Sequence, residues 1–155
     1  DSKEAIIESI IEKDMEEMFS IFQQFEDHPS DVLTALLDGL NMGVSRHMDT
    51  GSCVINLDMM AEANRNYKVA TLLRECDLKA RTRMRQLLIS DRSVLKNQPE
   101  EEIESRINVI FSVMAGLLLR KVLHPELTEE TVLIALRPAM RTLLMPFEQA
   151  QLKAQ

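Results

Sequence analysis

The sequence predicts an all-α protein built from six helices. Apolar residues recur at spacings of three and four positions along most of the chain, which is the period of one helix face. Only four glycines and five prolines occur among 155 residues, so few turns can form and the elements should be long. A chain of this length suits one compact domain, which buries about 68–70% of its unfolded surface. We therefore expect a single domain over residues 1–155.

The first helix is predicted over residues 2–26. Isoleucine, methionine and phenylalanine recur there at helical spacing with acidic residues between them, which is an amphipathic pattern. Asp1 and Glu4 form the reciprocal capping pattern of a helix start, because each side chain can accept from a backbone N–H near the other. His28-Pro29-Ser30 ends the pattern.

The second helix is predicted from a cap at Ser30 to Met48, and residues 49–51 end it. Gly39 and Gly43 lie one turn apart on one face of this helix. Two glycines at that spacing allow another helix or a ligand to approach the backbone closely.

Two further helices are predicted from Ser52 to about Asn64 and from about Tyr67 to Ile89, with a corner at residues 64–66. The longer of the two has an apolar stripe with arginines largely off it. Residues 64–96 carry nine bases and three acids, whereas residues 1–30 carry two bases and nine acids. We interpret the basic stretch as a solvated helix face, with nucleic-acid contact as the alternative.

A polar loop over residues 90–99 precedes the fifth helix, which is predicted over about 99–123 and is apolar on almost every side for three turns. Pro99 suits its first turn, and three glutamates follow where the helix dipole favours negative charge. A helix without a polar face must be covered all round. One side can meet the core of the domain, and a second copy of the chain is the simplest cover for the other.

The sixth helix opens at Thr128 and carries apolar residues as far as Leu144, with a kink expected at Pro138. The fifth and sixth helices together hold the predicted dimer interface, since small residues at Ala115 and Gly116 allow close helix crossing. Its residues are Ile107, Ile110, Met114, Leu117, Leu118, Leu133, Leu136, Met140, Leu143 and Leu144, with Arg137 for ion pairs between chains. The alternative is that these residues fill only the core of one chain.

A ligand pocket is predicted on the inner faces of the helices, where adaptable apolar groups occur with a few polar ones. The apolar candidates are Met15, Met18, Phe19, Phe22, Leu40, Met59, Met84 and Phe111. The polar candidates are Asn41, His47, Asn56, Arg83 and Asn108. A lining rich in methionine favours a hydrophobic or aromatic ligand. For each residue, the alternative is an ordinary position in the core.

Composition and motifs exclude several classes of function. A net charge of −7 argues against nucleic-acid binding by this chain alone. The longest apolar run, residues 113–119, is far shorter than the roughly 20 residues that span a bilayer, so we expect no membrane association. Cys53 and Cys76 lack metal-ligand spacing and suit the reduced cytoplasm. No phosphate loop, zinc-protease motif or nucleophile elbow occurs, so we expect no catalytic residue, no metal and no cofactor.

The order of the helices and three local motifs resemble the tetracycline-repressor (TetR) family of transcriptional regulators. Residues 1–7 resemble the start of the helix that connects the recognition helix to the sensor domain. Residues 62–66, followed by 69–73, resemble the corner before the long middle helix. Residues 106–137, with Gly116-Leu117-Leu118-Leu119, are similar to the helix pair by which the family dimerises. The resemblance covers the whole chain.

The resemblance implies a six-helix regulatory domain whose last two helices form a four-helix-bundle dimer interface. It implies a homodimeric repressor in which a small effector, bound in the helical bundle, alters the affinity for operator DNA. The operator would be read by helices that precede residue 1, and Lys3 would lie near a DNA phosphate; the alternative for Lys3 is an exposed lysine at a helix start. The alternative function is a helical interaction module that docks a different protein.

Overall fold

The structure, a computed structural model, describes residues 3–147 and the side chains of residues 5–147. This part of the chain is all-helical, as predicted, with seven helices and no strand. The helices are α1 (Lys3–Asp27), α2 (Val32–Asp38), α3 (Leu40–Met48), α4 (Thr50–Ala63), α5 (Tyr67–Leu88), α6 (Glu100–Leu123) and α7 (Glu129–Leu143). The predicted cap at Asp1 and the side chain of Lys3 lie outside the described residues.

Two helices replace the single one predicted over residues 30–48, so the described chain has seven helices and not six. α2 ends and α3 begins on either side of Gly39, whose backbone has φ −83° and ψ 0°. The ring of Phe25 on α1 occupies the space beside Gly39, since a Cβ added to the glycine would overlap Phe25 Cε1. The cap of α2 is Asp31 rather than Ser30, because the carboxylate of Asp31 accepts from the Thr34 N–H at 2.8 Å.

The other helix boundaries follow from their capping residues. Asp49 caps α4, and Asn66 caps α5 through a side-chain oxygen that accepts from a backbone N–H. Thr128 caps α7 as predicted. Pro99 directly precedes α6, and α7 continues through Pro138. The predicted corner at residues 64–66 and the predicted opening of the last helix are therefore confirmed.

The core has a large and a small part. The large part joins α2, α3, α6 and α7 with the second half of α1 and of α5, and includes Val44 and Ile107, which are fully buried. The small part joins α1, α4 and α5 around Ile11, Met59 and Val69. α3 lies at the centre of the large part because it packs against α2, α4, α6 and α7.

The connection between α5 and α6, which was predicted as a polar loop, packs partly into the core. Leu95 is completely buried in the large core. The guanidinium of Arg92 donates to the carbonyl oxygens of Glu26, His28 and Ser30. This connection therefore fastens the turn between α1 and α2.

Three of the six basic residues of α5 are paired with acids of neighbouring helices and are not simply solvated. Arg81 and Arg85 bind Glu104 on α6 at 3.0 and 2.9 Å, and Arg83 binds Glu26 on α1 at 2.8 Å. All three arginines are partly buried. The arginines therefore join α5 to its neighbours.

Arg106 connects α6 to the end of α7. Its side chain is 1% exposed and donates to the carboxylate of Glu102 and to the carbonyl oxygens of Leu143 and Met145. The last carbonyl groups of a helix have no partner within the helix. A buried charge needs such compensation, so Arg106 and the end of α7 stabilise each other.

We predict that Gly39→Ala destabilises the protein by about 1–2 kcal/mol, whereas Gly43→Ala does not. A methyl group at residue 39 overlaps the buried ring of Phe25, while one at residue 43 meets only the flexible end of Met114 at 3.0 Å. Alanine otherwise favours a helix by up to about 1 kcal/mol over glycine. Urea unfolding measures the difference. Gly51→Ala is the control in a less crowded place, and an equal effect at residues 39 and 51 would contradict the close approach.

Candidate functional site

A cavity of about 370 Å³, the central cavity, lies between α1 on one side and α3, α5 and α6 on the other. Its volume is within the range of about 300–1,000 Å³ that is usual for small-molecule sites. Most of its wall is apolar. Its polar lining residues, which we call the polar edge, are Asp14, Arg46, His47, Asn56, Cys76 and Asp77. This combination can hold an apolar molecule and orient one polar group of it.

Eight of the predicted pocket residues line the central cavity. They are Met15, Met18, Phe22, Leu40, His47, Asn56, Met84 and Phe111. Helical periodicity had placed them on inner faces, and the structure brings these faces together.

Phe19, Arg83 and Met59 were also predicted for the pocket and do not line it. The guanidinium of Arg83 lies 5.5 Å from the ring centre of Phe19 and is paired with Glu26, so both side chains contribute to contacts between α1 and α5. Met59 is buried in the small core beside Ile11. Each of these side chains therefore contacts other residues and does not reach the cavity.

Asn41 and Asn108 are exposed and also lie outside the cavity. The side-chain oxygen of Asn41 accepts from Arg137 at 3.0 Å, and that of Asn108 accepts from Arg81 at 2.8 Å. Both asparagines therefore join helices on the outside of the bundle.

Several lining residues were not predicted for the pocket. On α1, Asp14 precedes Met18 by four residues, so the spacing indicates that both lie on the same helix face. On α3, Arg46 follows the lining residue Gly43 by three residues and shares its face for the same reason. Met114, Met140 and Leu144, which were predicted for the dimer interface, also line the cavity.

Arg46 on α3 binds α1 at the edge of the cavity. Its Nη2 lies 2.6 Å from the carboxylate of Asp14 and 3.0 Å from the Asp14 carbonyl oxygen. Its Nη1 is buried, and the carboxylate of Glu17 is 3.6 Å away, which is too far for a hydrogen bond. A molecule bound beside Arg46 would therefore act directly on a contact between α1 and the rest of the bundle.

His47 presents an uncharged ring to the cavity. Its Nδ1 lies 2.7 Å from the carbonyl oxygen of Gly43, so Nδ1 carries the hydrogen and Nε2 is left as an acceptor. Burial lowers the pKa of His47, and Arg46 lowers it further, against the opposing effects of the Gly43 bond and Asp14. The ring is therefore neutral at pH 7.

The remaining polar groups of the edge are an amide, a carboxylate and a thiol. The side-chain nitrogen of Asn56 donates to the Ser52 carbonyl at 2.8 Å, which leaves the side-chain oxygen of Asn56 as an acceptor. Asp77 is exposed and has no ion pair with another described residue. Burial raises the pKa of Cys76, so this thiol keeps its proton at neutral pH.

The residues predicted for the dimer interface lie mostly inside the chain's own core. Those that are buried there are Ile107, Ile110, Leu117, Leu118, Leu136, Met140 and Leu144. Those that are half-buried against it are Met114, Leu133 and Leu143. Arg137 donates to the Leu37 carbonyl at 2.7 Å within the chain. These side chains therefore lie in the core of one chain, which was the alternative to a dimer interface, because α3 covers this face of α6 and α7.

The opposite sides of α6 and α7 expose apolar residues instead. We call this surface the outer face, and it comprises Val109, Val113, Gly116, Leu119, Leu123, Ile134 and Pro138. Val113 is 37% exposed, Leu119 50% and Ile134 75%. A Cβ added to Gly116 would meet no atom within 4 Å. The outer face therefore lies about half a helix turn away from the residues predicted for the dimer interface.

The chain matches no protein-family model, no curated protein and no solved structure. Within the described residues, no three His, Cys, Asp or Glu side chains are placed to hold a metal ion, and Cys53 and Cys76 are free thiols. Among the same residues, no helix has the length and hydropathy to cross a membrane. The central cavity and the outer face are the surfaces at which the described chain could bind a ligand or a partner.

We predict that the protein loses stability as the pH falls below 6.5, the ordinary pKa of histidine. Because the pKa of folded His47 is lowered, the unfolded chain binds a proton first. The stability that is present above the unfolded pKa is then lost as the pH falls through the folded value. Urea unfolding across this range measures the slope, and His47→Gln should remove most of it.

His124→Gln is the matched control for this experiment. The His124 ring is 44% exposed and lies 3.3 Å from Glu126, so its removal should leave the slope nearly unchanged. A full slope in His47→Gln would show that His47 is not buried in its neutral form.

Proposed function

We propose that the chain is the ligand-sensing and dimerisation domain of a TetR-type transcriptional repressor. In this proposal a small, largely hydrophobic effector binds in the central cavity and alters the affinity of the whole protein for operator DNA. The observation that carries the proposal is the position of the cavity against α1, the helix that resembles the family's connection to the DNA-reading helices. The resemblance of the sequence motifs supplies the link to DNA.

α1 contributes a large part of the cavity wall, and these residues occur along three turns. They are Asp14, Met15, Met18, Ile21, Phe22 and Phe25. An effector in the cavity would contact α1 directly and would compete with its packing on the bundle. To change operator affinity, the effector must bind one position of α1 more tightly than another, since equal affinity for both shifts no equilibrium.

The outer face supports a homodimer. α6 and α7 both pack against α3 and contact each other, and both expose apolar residues. Two copies related by a twofold axis would bring four helices together with the same residues on both sides. Exposed apolar residues on neighbouring helices would then be covered by the second copy.

We predict that Ile134→Glu converts the dimer to a folded monomer. Ile134 is 75% exposed, so glutamate costs the single chain little, whereas two carboxylates buried at a dimer axis are strongly unfavourable. Sedimentation equilibrium at micromolar concentration measures the mass, and circular dichroism measures the helix content. Leu78→Glu is the matched control, because Leu78 is 65% exposed on α5 and lies off the outer face.

The alternative function, a module that docks a different helical protein, uses the same outer face. The wild-type mass separates the two functions. A dimer that Ile134→Glu disrupts and Leu78→Glu preserves supports the regulator. A wild-type monomer would contradict it and favour the docking module.

A further inference from the structure

We propose that the central cavity takes a small apolar amine, with its protonated nitrogen at the edge between Asp14 and Asp77 and its apolar body among the methionine and phenylalanine side chains. This inference rests on the proposed function and specifies the chemical class of its effector.

The charges at the edge favour a cation. The lining holds two carboxylates, Asp14 and Asp77, and one guanidinium, Arg46. Arg46 is already paired with Asp14 and with Glu17 just outside the cavity. The carboxylate of Asp77 has no ion-pair partner among the described residues. Because Asp77 is exposed, its carboxylate is available to a positive group in the cavity, and the pair would contribute the modest energy of a partly exposed ion pair.

The uncharged groups of the edge are suited to a hydrogen-bond donor. His47 offers Nε2 as an acceptor because its Nδ1 donates to the Gly43 carbonyl. Asn56 offers its side-chain oxygen because its nitrogen donates to the Ser52 carbonyl. An ammonium group has up to three donors and no acceptor, so it can use both groups together with a carboxylate.

An anionic ligand fits the same edge less well. The group that could hold it is Nη1 of Arg46, which is buried and lacks a hydrogen bond. The carboxylate of Glu17 already lies 3.6 Å from that nitrogen. A ligand carboxylate would thus be the third carboxylate around one guanidinium, after those of Asp14 and Glu17, and like charges repel at such distances.

The wall away from the edge favours an apolar body of modest size. Met15, Met18 and Met84 supply flexible thioether chains, and Phe22 and Phe111 supply rings. Thioether chains adapt to irregular shapes and contact aromatic rings favourably. The cavity volume of about 370 Å³ lies near the lower end for ligand sites, which suits a molecule with one or two rings.

Isothermal titration calorimetry of the whole chain at neutral pH tests the inference with three probes. They are the para-substituted compounds biphenylmethylamine, biphenylmethanol and biphenylcarboxylic acid, which share one body and differ in charge. We expect the amine to bind about three- to tenfold more tightly than the alcohol, as one or two partly exposed ion pairs would give. The acid should bind most weakly.

Asp77→Asn tests whether the carboxylate of Asp77 selects the amine over the alcohol. This change should weaken binding of the amine by about threefold and leave binding of the alcohol unchanged. Asp58→Asn is the matched control, since Asp58 is an exposed carboxylate on α4 outside the cavity, and it should alter neither affinity.

The outcomes separate the effector class from the proposed function. If the alcohol binds as tightly as the amine and Asp77→Asn changes neither affinity, the class is wrong while a ligand site in the cavity stands. Tightest binding of the acid would overturn the class in the same way. If none of the three compounds binds, both the effector class and the sensor function are contradicted.

Discussion

The absence of a side chain at Gly39 sets how closely α1 approaches the corner between α2 and α3. A Cβ at Gly39 would overlap Phe25 of α1, whereas one at Gly43 would meet only the flexible end of Met114 of α6 at 3.0 Å. α1 therefore rests against this corner, and α6 packs against α3. Both glycines also line the central cavity, so the same close contacts that fix the bundle define one end of the site.

Beside this corner, a partly exposed ion pair connects α1 to α3. The Asp14 carboxylate that Arg46 holds is 43% exposed, and an ion pair so open to solvent contributes about 0–1 kcal/mol. Apolar packing through Phe22 and Phe25 supplies most of the attachment. Because the effector would contact the same side chains, its binding would change how α1 packs on the bundle.

Helical period was enough to predict the all-α class and eight residues of the cavity wall, and the polar stretch at residues 64–66 was enough to predict the corner there. It could not predict the break at Gly39, since a glycine on a helical stripe is compatible with a continuous helix. It also could not predict which side of α6 meets the chain itself: Ile107 and Val109 are both apolar, and only the position of α3 decides that the first is buried and the second exposed. For the same reason, the sequence could not predict that Leu95, an apolar residue in a polar loop, is buried.

The central claim is that the cavity between α1 and the bundle receives a small apolar molecule. Carbon-13 labels on the methionine methyl groups test it most directly, since the methionines are distributed inside and outside the cavity. Those that line it are Met15, Met18, Met84, Met114 and Met140. Addition of para-biphenylmethylamine should shift these five signals and leave those of Met59 and Met60 on α4 unchanged. Shifts confined to the exposed Met60, with the five lining signals unmoved, would contradict the claim.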